Sequence, residues 1–153
     1  MMSLDYILRG NRQMSTEINI AVKAFADSRA AFSQLRPPSQ GGVYAFYLKD
    51  HAALHPFPCK ADGLVYIGSS GNLASREYEN HFDTTSTGFS TLRRSIGAIL
   101  KRKLSLNAIP RSSGDSETNV RNYRFEEGDQ RLTEWMKENL EIGFYAHDDF
   151  ENL

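Results

Sequence analysis

Two short apolar runs bounded by glycine stand out along an otherwise polar chain. Residues 41–48 read GGVYAFYL and residues 63–70 read GLVYIGSS, and both are rich in β-branched and aromatic side chains. That composition is typical of paired β-strands. If the two runs pair antiparallel, side chains two positions apart share a face. One face would then carry Tyr44, Phe46, Leu48, Leu64 and Tyr66. The pattern predicts a hairpin in which two phenols point at one spot, either as ordinary strand residues or as reactive groups.

Elsewhere the apolar side chains recur every three to four residues, which indicates helices. The predicted helices cover residues 14–35, 72–82, 91–104 and 129–140. Pro37 and Pro38 end the first helix and direct the chain into the hairpin. Residues suited to cap helix N-termini stand at three of the starts: Ser15 or Thr16, Asn72, and Ser90 or Thr91.

Ile142, Phe144 and Ala146 alternate with less apolar neighbours and predict a third strand, while residues 123–125 predict a short one. The expected fold class is therefore α+β: a small, mostly antiparallel sheet of three strands flanked by helices, with an N-terminal helix in front. We expect residues 1–37 to form a helical extension and residues 38–153 to form the main domain.

Composition narrows the class of protein. A chain of 153 residues with 40% hydrophobic content can form one domain with a proper core. Its apolar runs are too short to cross a membrane, and no secretory signal is visible. The single cysteine, Cys59, cannot form an internal disulfide and fits a reducing cytoplasm. The spacing of Cys59 from His51 and His55 matches no usual zinc pattern.

Charge is distributed unevenly although the net charge is only −1. Residues 84–114 hold six basic side chains and no acid, whereas residues 115–153 hold eleven acids and four bases. Such asymmetry suits a surface that attracts an anion, although a solvated helix face has the same composition. The candidate nucleic-acid-binding residues are Arg93, Arg94, Lys101 and Arg102.

The glycine-bounded runs contain Gly42-Val43-Tyr44 and Tyr66-Ile67-Gly68, and the second run continues as SSGNLASR to Arg76. These motifs resemble the signature of the GIY-YIG nuclease superfamily. The segments 89–98 and 132–136 also resemble a subgroup of small bacterial members of that family. The resemblance covers about residues 38–153, so it makes the main domain GIY-YIG nuclease-like.

The resemblance implies roles for four residues. Tyr44 would lie near the attacking water, and Tyr66 would position that water or the scissile phosphate. Arg76 would stabilise the charge that builds on phosphorus, because its planar fork forms paired charge-assisted bonds to phosphate. His81 would contact phosphate, as some histidines of the family do, unless it is a plain surface histidine.

The resemblance also implies a divalent ion, usually Mg²⁺, held by a glutamate on a helix that follows the third strand. Here the chain ends where that helix should begin, and Glu151 is the closest match by position. Two expectations stay open: either the chain is truncated at its C-terminal end, or the metal ligand has been lost.

The expected function is metal-dependent endonuclease activity on duplex or branched DNA, with no membrane and no obligate protein partner. The first alternative is a catalytically silent nucleic-acid-binding module that keeps the fold and the basic helix. A second alternative is an interaction domain in which the tyrosines belong to the core.

Overall fold

The glycine-bounded runs form two antiparallel strands that pair with each other, as predicted. The computed structural model describes residues 4–75, 81–83, 87–112 and 116–148. Strand β2, Gly42–Leu48, pairs antiparallel with β3, Leu64–Ser70, with Phe46 opposite Tyr66. All five β2 side chains after Val43 are buried, because β2 has a strand on each side and an apolar cluster on each face.

The sheet has four antiparallel strands, one more than predicted, in the order β1 (Ala30–Ala31), β6 (Leu140–Ala146), β2 and β3. Strand β6, Leu140–Ala146, is the predicted third strand and pairs with the other edge of β2. The additional strand is β1, Ala30–Ala31, which pairs with Ile142 and Glu141 of β6. It has only two residues, too few for an alternating pattern to reveal it. The segment before residue 38 therefore contributes a strand to this sheet.

The N-terminal helix was predicted at residues 14–35, but α1 spans Leu4–Ser28. Its last residue ties it to β6, because the Ser28 hydroxyl oxygen accepts from the Phe144 amide at 2.7 Å and lies 3.0 Å from the Phe144 carbonyl. The chain leaves the helix there for β1. Phe32 lies in a short 3₁₀ turn, Phe32–Gln34, with its ring 4.3 Å from that of Phe82.

The helices after the hairpin begin close to the residues at which the candidate caps predicted them to begin. Helix α2 is described over Leu73–Ser75, and the Asn72 side chain accepts from the Ser75 amide at 3.1 Å. Helix α3 spans Thr91–Leu100 with Ser90 as its N-cap, so it ends four residues before the predicted end. Helix α4, Glu117–Arg121, is followed by β5, Arg124–Glu127, which pairs with β4, Asn107–Ile109. Helix α5 spans Asp129–Asn139 and leads directly into β6.

The sheet separates two apolar clusters. The larger cluster joins Tyr44 and Phe46 of the hairpin to α3 and α5, and the smaller joins Phe25 of α1 to Ala45 and Tyr47. The prediction that Leu64 shares the face of Tyr44 was wrong. A bulge shifts the register so that Tyr66 pairs with Phe46 but Leu64 pairs with Tyr47, and Leu64 packs in the smaller cluster. No helix among the described residues is long and apolar enough to cross a bilayer.

Candidate active site

Tyr44 and Tyr66 lie on the same face of the sheet, as the alternation predicted. Tyr44 pairs with Gly68 and Tyr66 pairs with Phe46, so the two tyrosines are diagonal neighbours. Their ring centroids lie 6.3 Å apart with 28° between the ring planes. Tyr44 is 1% exposed, whereas Tyr66 is half-buried. One phenol is therefore held in the core and the other reaches the surface beside it.

Gly68 makes room for Tyr44. A Cβ atom at position 68 would overlap the phenol ring and hydroxyl of Tyr44, because that ring lies across β3 at this point. Any side chain at residue 68 would have to displace the phenol. This close approach is a physical reason for the glycine that ends the second tyrosine motif, Tyr66-Ile67-Gly68.

His81 holds the Tyr44 hydroxyl. The imidazole is 0% exposed, and its Nε2 lies 2.9 Å from Tyr44 Oη. Its Nδ1 lies 2.9 Å from Ser90 Oγ, and its ring packs edge-on against Tyr44 and Phe46. The structure therefore places His81 against the first tyrosine, buried rather than on the surface.

The donors and acceptors around Ser90 assign the histidine tautomer. Ser90 Oγ already accepts from the Arg93 amide as the N-cap of α3. Of the described atoms, only His81 Nδ1 is placed to accept the buried Ser90 hydroxyl proton. A buried hydroxyl donor without an acceptor is costly, so Ser90 donates to Nδ1 and the ring proton sits on Nε2. His81 thus donates to Tyr44, and the hydroxyl proton of Tyr44 goes to a group other than His81.

Arg93 corrects one prediction, because it does not lie on a surface where it could contact nucleic acid. Its side chain is 0% exposed, and its guanidinium forms hydrogen bonds to several buried groups. Nε donates to Thr87 Oγ1 at 2.9 Å, and Nη1 donates to Thr133 Oγ1 at 2.8 Å and to the His81 carbonyl at 3.0 Å. Nη2 donates to the carbonyl of Asp129 and, at 3.0 Å, to its carboxylate.

The environment of Arg93 is that of a buried ion pair. Burial lowers the pKa of its guanidinium, and the hydrogen bond and charge of Asp129 oppose that shift. The same carboxylate accepts a hydrogen bond from Thr87. Arg93 therefore fixes the main chain at His81 and, through its own amide, the Ser90 side chain that bonds to the imidazole.

Sequence reasoning missed Thr87, Asp129 and Thr133 as parts of this network. A signal did exist in α3: positions 93, 96 and 100 recur at three- to four-residue spacing, and all three are buried. An arginine in such a stripe, with acids nearby only in later segments, indicates a buried ion pair. The absence of neighbouring acids on its own is compatible with an anion-attracting surface and with a solvated helix face, and neither describes Arg93.

The other three predicted DNA contacts are more accessible. Arg94 is half-buried, and its guanidinium donates to the Gly88 carbonyl and to Thr91 Oγ1. Lys101 and Arg102 are exposed in the turn that follows α3. Neither side chain forms a hydrogen bond or ion pair with another described residue.

Arg76 and Glu151 lie outside the described residues, so the structure does not place either of them. Within the described ranges, no group of three or more His, Cys, Asp or Glu side chains could hold a metal ion. The carboxylate of the Tyr44–His81 network, Asp129, is engaged by Arg93 and Thr87. Phenols and one imidazole do not make a site for a hard cation such as Mg²⁺, which prefers carboxylate and water oxygens. The described residues alone do not fit that ion.

A family model described as the GIY-YIG catalytic domain matches residues 42–153. The match begins at the first residue of β2 and spans both tyrosines, His81 and the buried network. It covers more than half of the 153 residues. No curated protein and no solved structure matches the chain significantly.

Proposed function

The chain belongs to the GIY-YIG catalytic-domain family, and from this premise we propose that it is an endonuclease that hydrolyses phosphodiester bonds of DNA. The observation that carries the proposal is the pair of phenols on one sheet face, with the Tyr44 hydroxyl held by His81. A nuclease family implies a nucleic-acid substrate. The exposed Lys101 and Arg102 favour a long polyanion over a small phosphate ester.

The chemistry assigns a role to each residue. Hydrolysis adds a water oxygen to phosphorus and breaks one P–O ester bond, so charge builds on the phosphoryl oxygens. Tyr66, at the surface, orients the phosphate or the water. Tyr44, fixed by His81, provides the second hydrogen bond that orients the water. Arg76 neutralises the developing charge. A phenol with an ordinary pKa of about 10 is a poor base near pH 7, so positioning is the main task of the tyrosines.

We also propose that activity needs a divalent ion, with Mg²⁺ as the first choice and Glu151 as a carboxylate ligand. Support comes from the family alone, because the described residues supply no complete ligand set. An ion of this kind would supply Lewis-acid stabilisation at an ester oxygen. Chelation should abolish cleavage and restored Mg²⁺ should recover it. We further propose a cytoplasmic location, which the lone Cys59 favours.

Nicking of supercoiled plasmid and of branched DNA in Mg²⁺ tests the proposal. Arg76→Ala should lower the rate at least about a hundredfold, the size of loss when one transition-state charge stabiliser is removed. Arg121→Ala is the matched control, since that arginine is exposed and paired with Glu117 on α4. The proposal fails if the unmodified protein cleaves neither substrate, or if both variants lose activity equally.

A second candidate function is a catalytically silent DNA-binding module. The burial of Tyr44 favours it, because a phenol that is 1% exposed and bonded to a buried imidazole is arranged like a core residue. Such a module would bind duplex or branched DNA with a steep salt dependence and cleave neither. Binding without cleavage, across a range of divalent ions, would select this candidate.

A further inference from the structure

A groove of about 560 Å³ lies beside Tyr66, between α3 and the loop that joins β2 to β3. The loop contributes Phe57 and Lys60, and α3 contributes Leu92, Ser95 and Ile96. Because Tyr66 also lines the groove, the groove is continuous with the candidate active site. Its volume falls within the range of pockets that hold small ligands.

Aromatic and aliphatic side chains line the groove, together with a positive charge. Phe57 is 51% exposed, which leaves an aromatic face open at the groove. Among the described residues that line the groove, Lys60 is the charged one and none is acidic. Planar apolar surface combined with a positive charge matches a nucleotide, whose base stacks on aromatic rings while its phosphate attracts cations.

We infer that this groove receives an unstacked base of the DNA substrate, with Lys60 at a neighbouring phosphate. The inference rests on the proposed function and names its substrate class: DNA with an unpaired nucleotide next to the scissile bond, such as a bulge or a branch point. A paired base must first leave its stack, and an unpaired base avoids much of that cost. A base seated beside Phe57 would occupy the same groove that Tyr66 lines.

Binding measured without cleavage tests this inference. The probe is a fluorescently labelled duplex with one unpaired adenine, compared with the fully paired duplex, in chelator at fixed salt. The unmodified protein should bind the bulged probe about ten times more tightly, as expected for one base–aromatic stack. Phe57→Ala should bring the two affinities together. Phe89→Ala is the matched control, because Phe89 is also exposed, at 63%, but stacks with Arg111 away from the groove.

Phe57→Ala could disturb the loop that joins β2 to β3, so a second pair of variants tests the groove from α3 instead. Ser95→Leu fills the groove from helix α3, whereas Ala98→Leu adds the same side chain at an exposed α3 position that does not line the groove. Only Ser95→Leu should remove the preference for the bulged probe. Equal affinities for both probes in the unmodified protein, or an equal loss in both members of either pair, would overturn the inference. Because cleavage is not measured, a failure of the proposed nuclease function is seen separately in the plasmid assay.

Discussion

At the scale of single residues, Gly68 sets the position of the buried phenol. A methyl group at this position would overlap the Tyr44 ring. Gly68→Ala should therefore lower the free energy of unfolding by about 1–3 kcal/mol, the usual cost of overpacking, and should reduce nuclease activity. Urea denaturation measures the first effect and plasmid nicking the second.

Gly71 provides the control for Gly68. It lies three residues further along, and a Cβ atom there meets nothing within 4 Å. Gly71→Ala should change stability by less than about 1 kcal/mol, in the direction set by the lower entropy of the unfolded chain. If the two alanine variants behave alike, the close approach of Tyr44 to β3 does not constrain this position.

Ser90 determines which nitrogen of His81 carries the proton. Ser90→Asp keeps an N-cap acceptor for the Arg93 amide but has no proton to give to Nδ1. We expect Nδ1 to become protonated in this variant, while Ser90→Thr keeps the original tautomer. Two-bond ¹H–¹⁵N correlation spectra of the imidazole distinguish the two states. An unmodified protein already protonated at Nδ1 would contradict the assignment.

The positions of single residues could be predicted where the local periodicity of a strand or helix determines which face a side chain occupies. The two-residue alternation of strands placed Tyr44 and Tyr66 on one face, and the structure confirms that placement. Leu64 was misplaced because a bulge reverses the alternation and leaves no mark in the sequence. Arg93 was misplaced because a charged side chain indicates a surface unless its partner is known. That partner, Asp129, lies 36 residues away on another helix.

At the scale of secondary-structure elements, Arg93 joins α3, the turn Thr87–Phe89 and the start of α5. Arg93→Ala would leave the mostly buried Asp129 carboxylate without its cation. The free energy of unfolding should fall by about 3 kcal/mol or more. Arg121→Ala breaks the exposed pair with Glu117 and should cost less than about 1 kcal/mol. Chemical denaturation of both variants checks the difference, and equal losses would exclude a stabilising role for the buried pair.

Tyr123, the residue before β5, contacts α3 and gives this contact a pH dependence. Its hydroxyl donates to the Arg94 carbonyl at 2.7 Å, and burial raises its pKa above 10.0 while the charge of Arg94 opposes the rise. The folded state therefore holds the phenol proton longer than the unfolded state. The stabilisation is complete below pH 10 and is lost as the pH rises through the higher folded-state pKa.

Tyr123→Phe removes this titration. The free energy of unfolding of the variant should fall less steeply above pH 10 than that of the unmodified protein. Denaturant titrations at a series of pH values on either side of 10 measure the difference. Tyr47, whose pKa burial also raises, remains in both proteins and cancels in the comparison. If the free energies of unfolding of the two proteins change in parallel with pH, the Tyr123 hydroxyl has the same pKa in the folded and unfolded states, which would contradict the prediction.

Element types were predicted more reliably than their ends. The cap Asn72 was identified correctly, and of the two candidates Ser90 and Thr91 it is Ser90 that caps α3, because a side-chain acceptor at a helix start is a local signal. The predicted cap Ser15 or Thr16 was wrong, since both residues lie inside α1. The end of α1 was not, since Ser28 terminates that helix through bonds to Phe144, which is remote in sequence. Helix ends set by tertiary contacts cannot be predicted from the local pattern.

At the scale of the whole molecule, the near-neutral net charge hides an exposed positive segment. The acid-free stretch 84–114 places Arg93 in the core but leaves Lys101 and Arg102 at the surface. The sequence established the excess of positive charge, whereas the structure separated its buried part from its exposed part. Any attraction of DNA by α3 and the following turn must therefore come from fewer cations than the sequence suggested.

The salt dependence of DNA binding measures how many of those cations contact phosphate. Each lysine or arginine that contacts a phosphate adds about 0.9 to the slope of log affinity against log salt for duplex DNA. The double variant Lys101→Ala and Arg102→Ala should lower that slope by nearly two and weaken binding uniformly across sequences. The control double variant Lys23→Ala and Arg121→Ala makes the same change in net charge at exposed, ion-paired positions of α1 and α4. If both double variants change the slope equally, the binding responds to total charge and the turn after α3 is not the DNA-contacting surface.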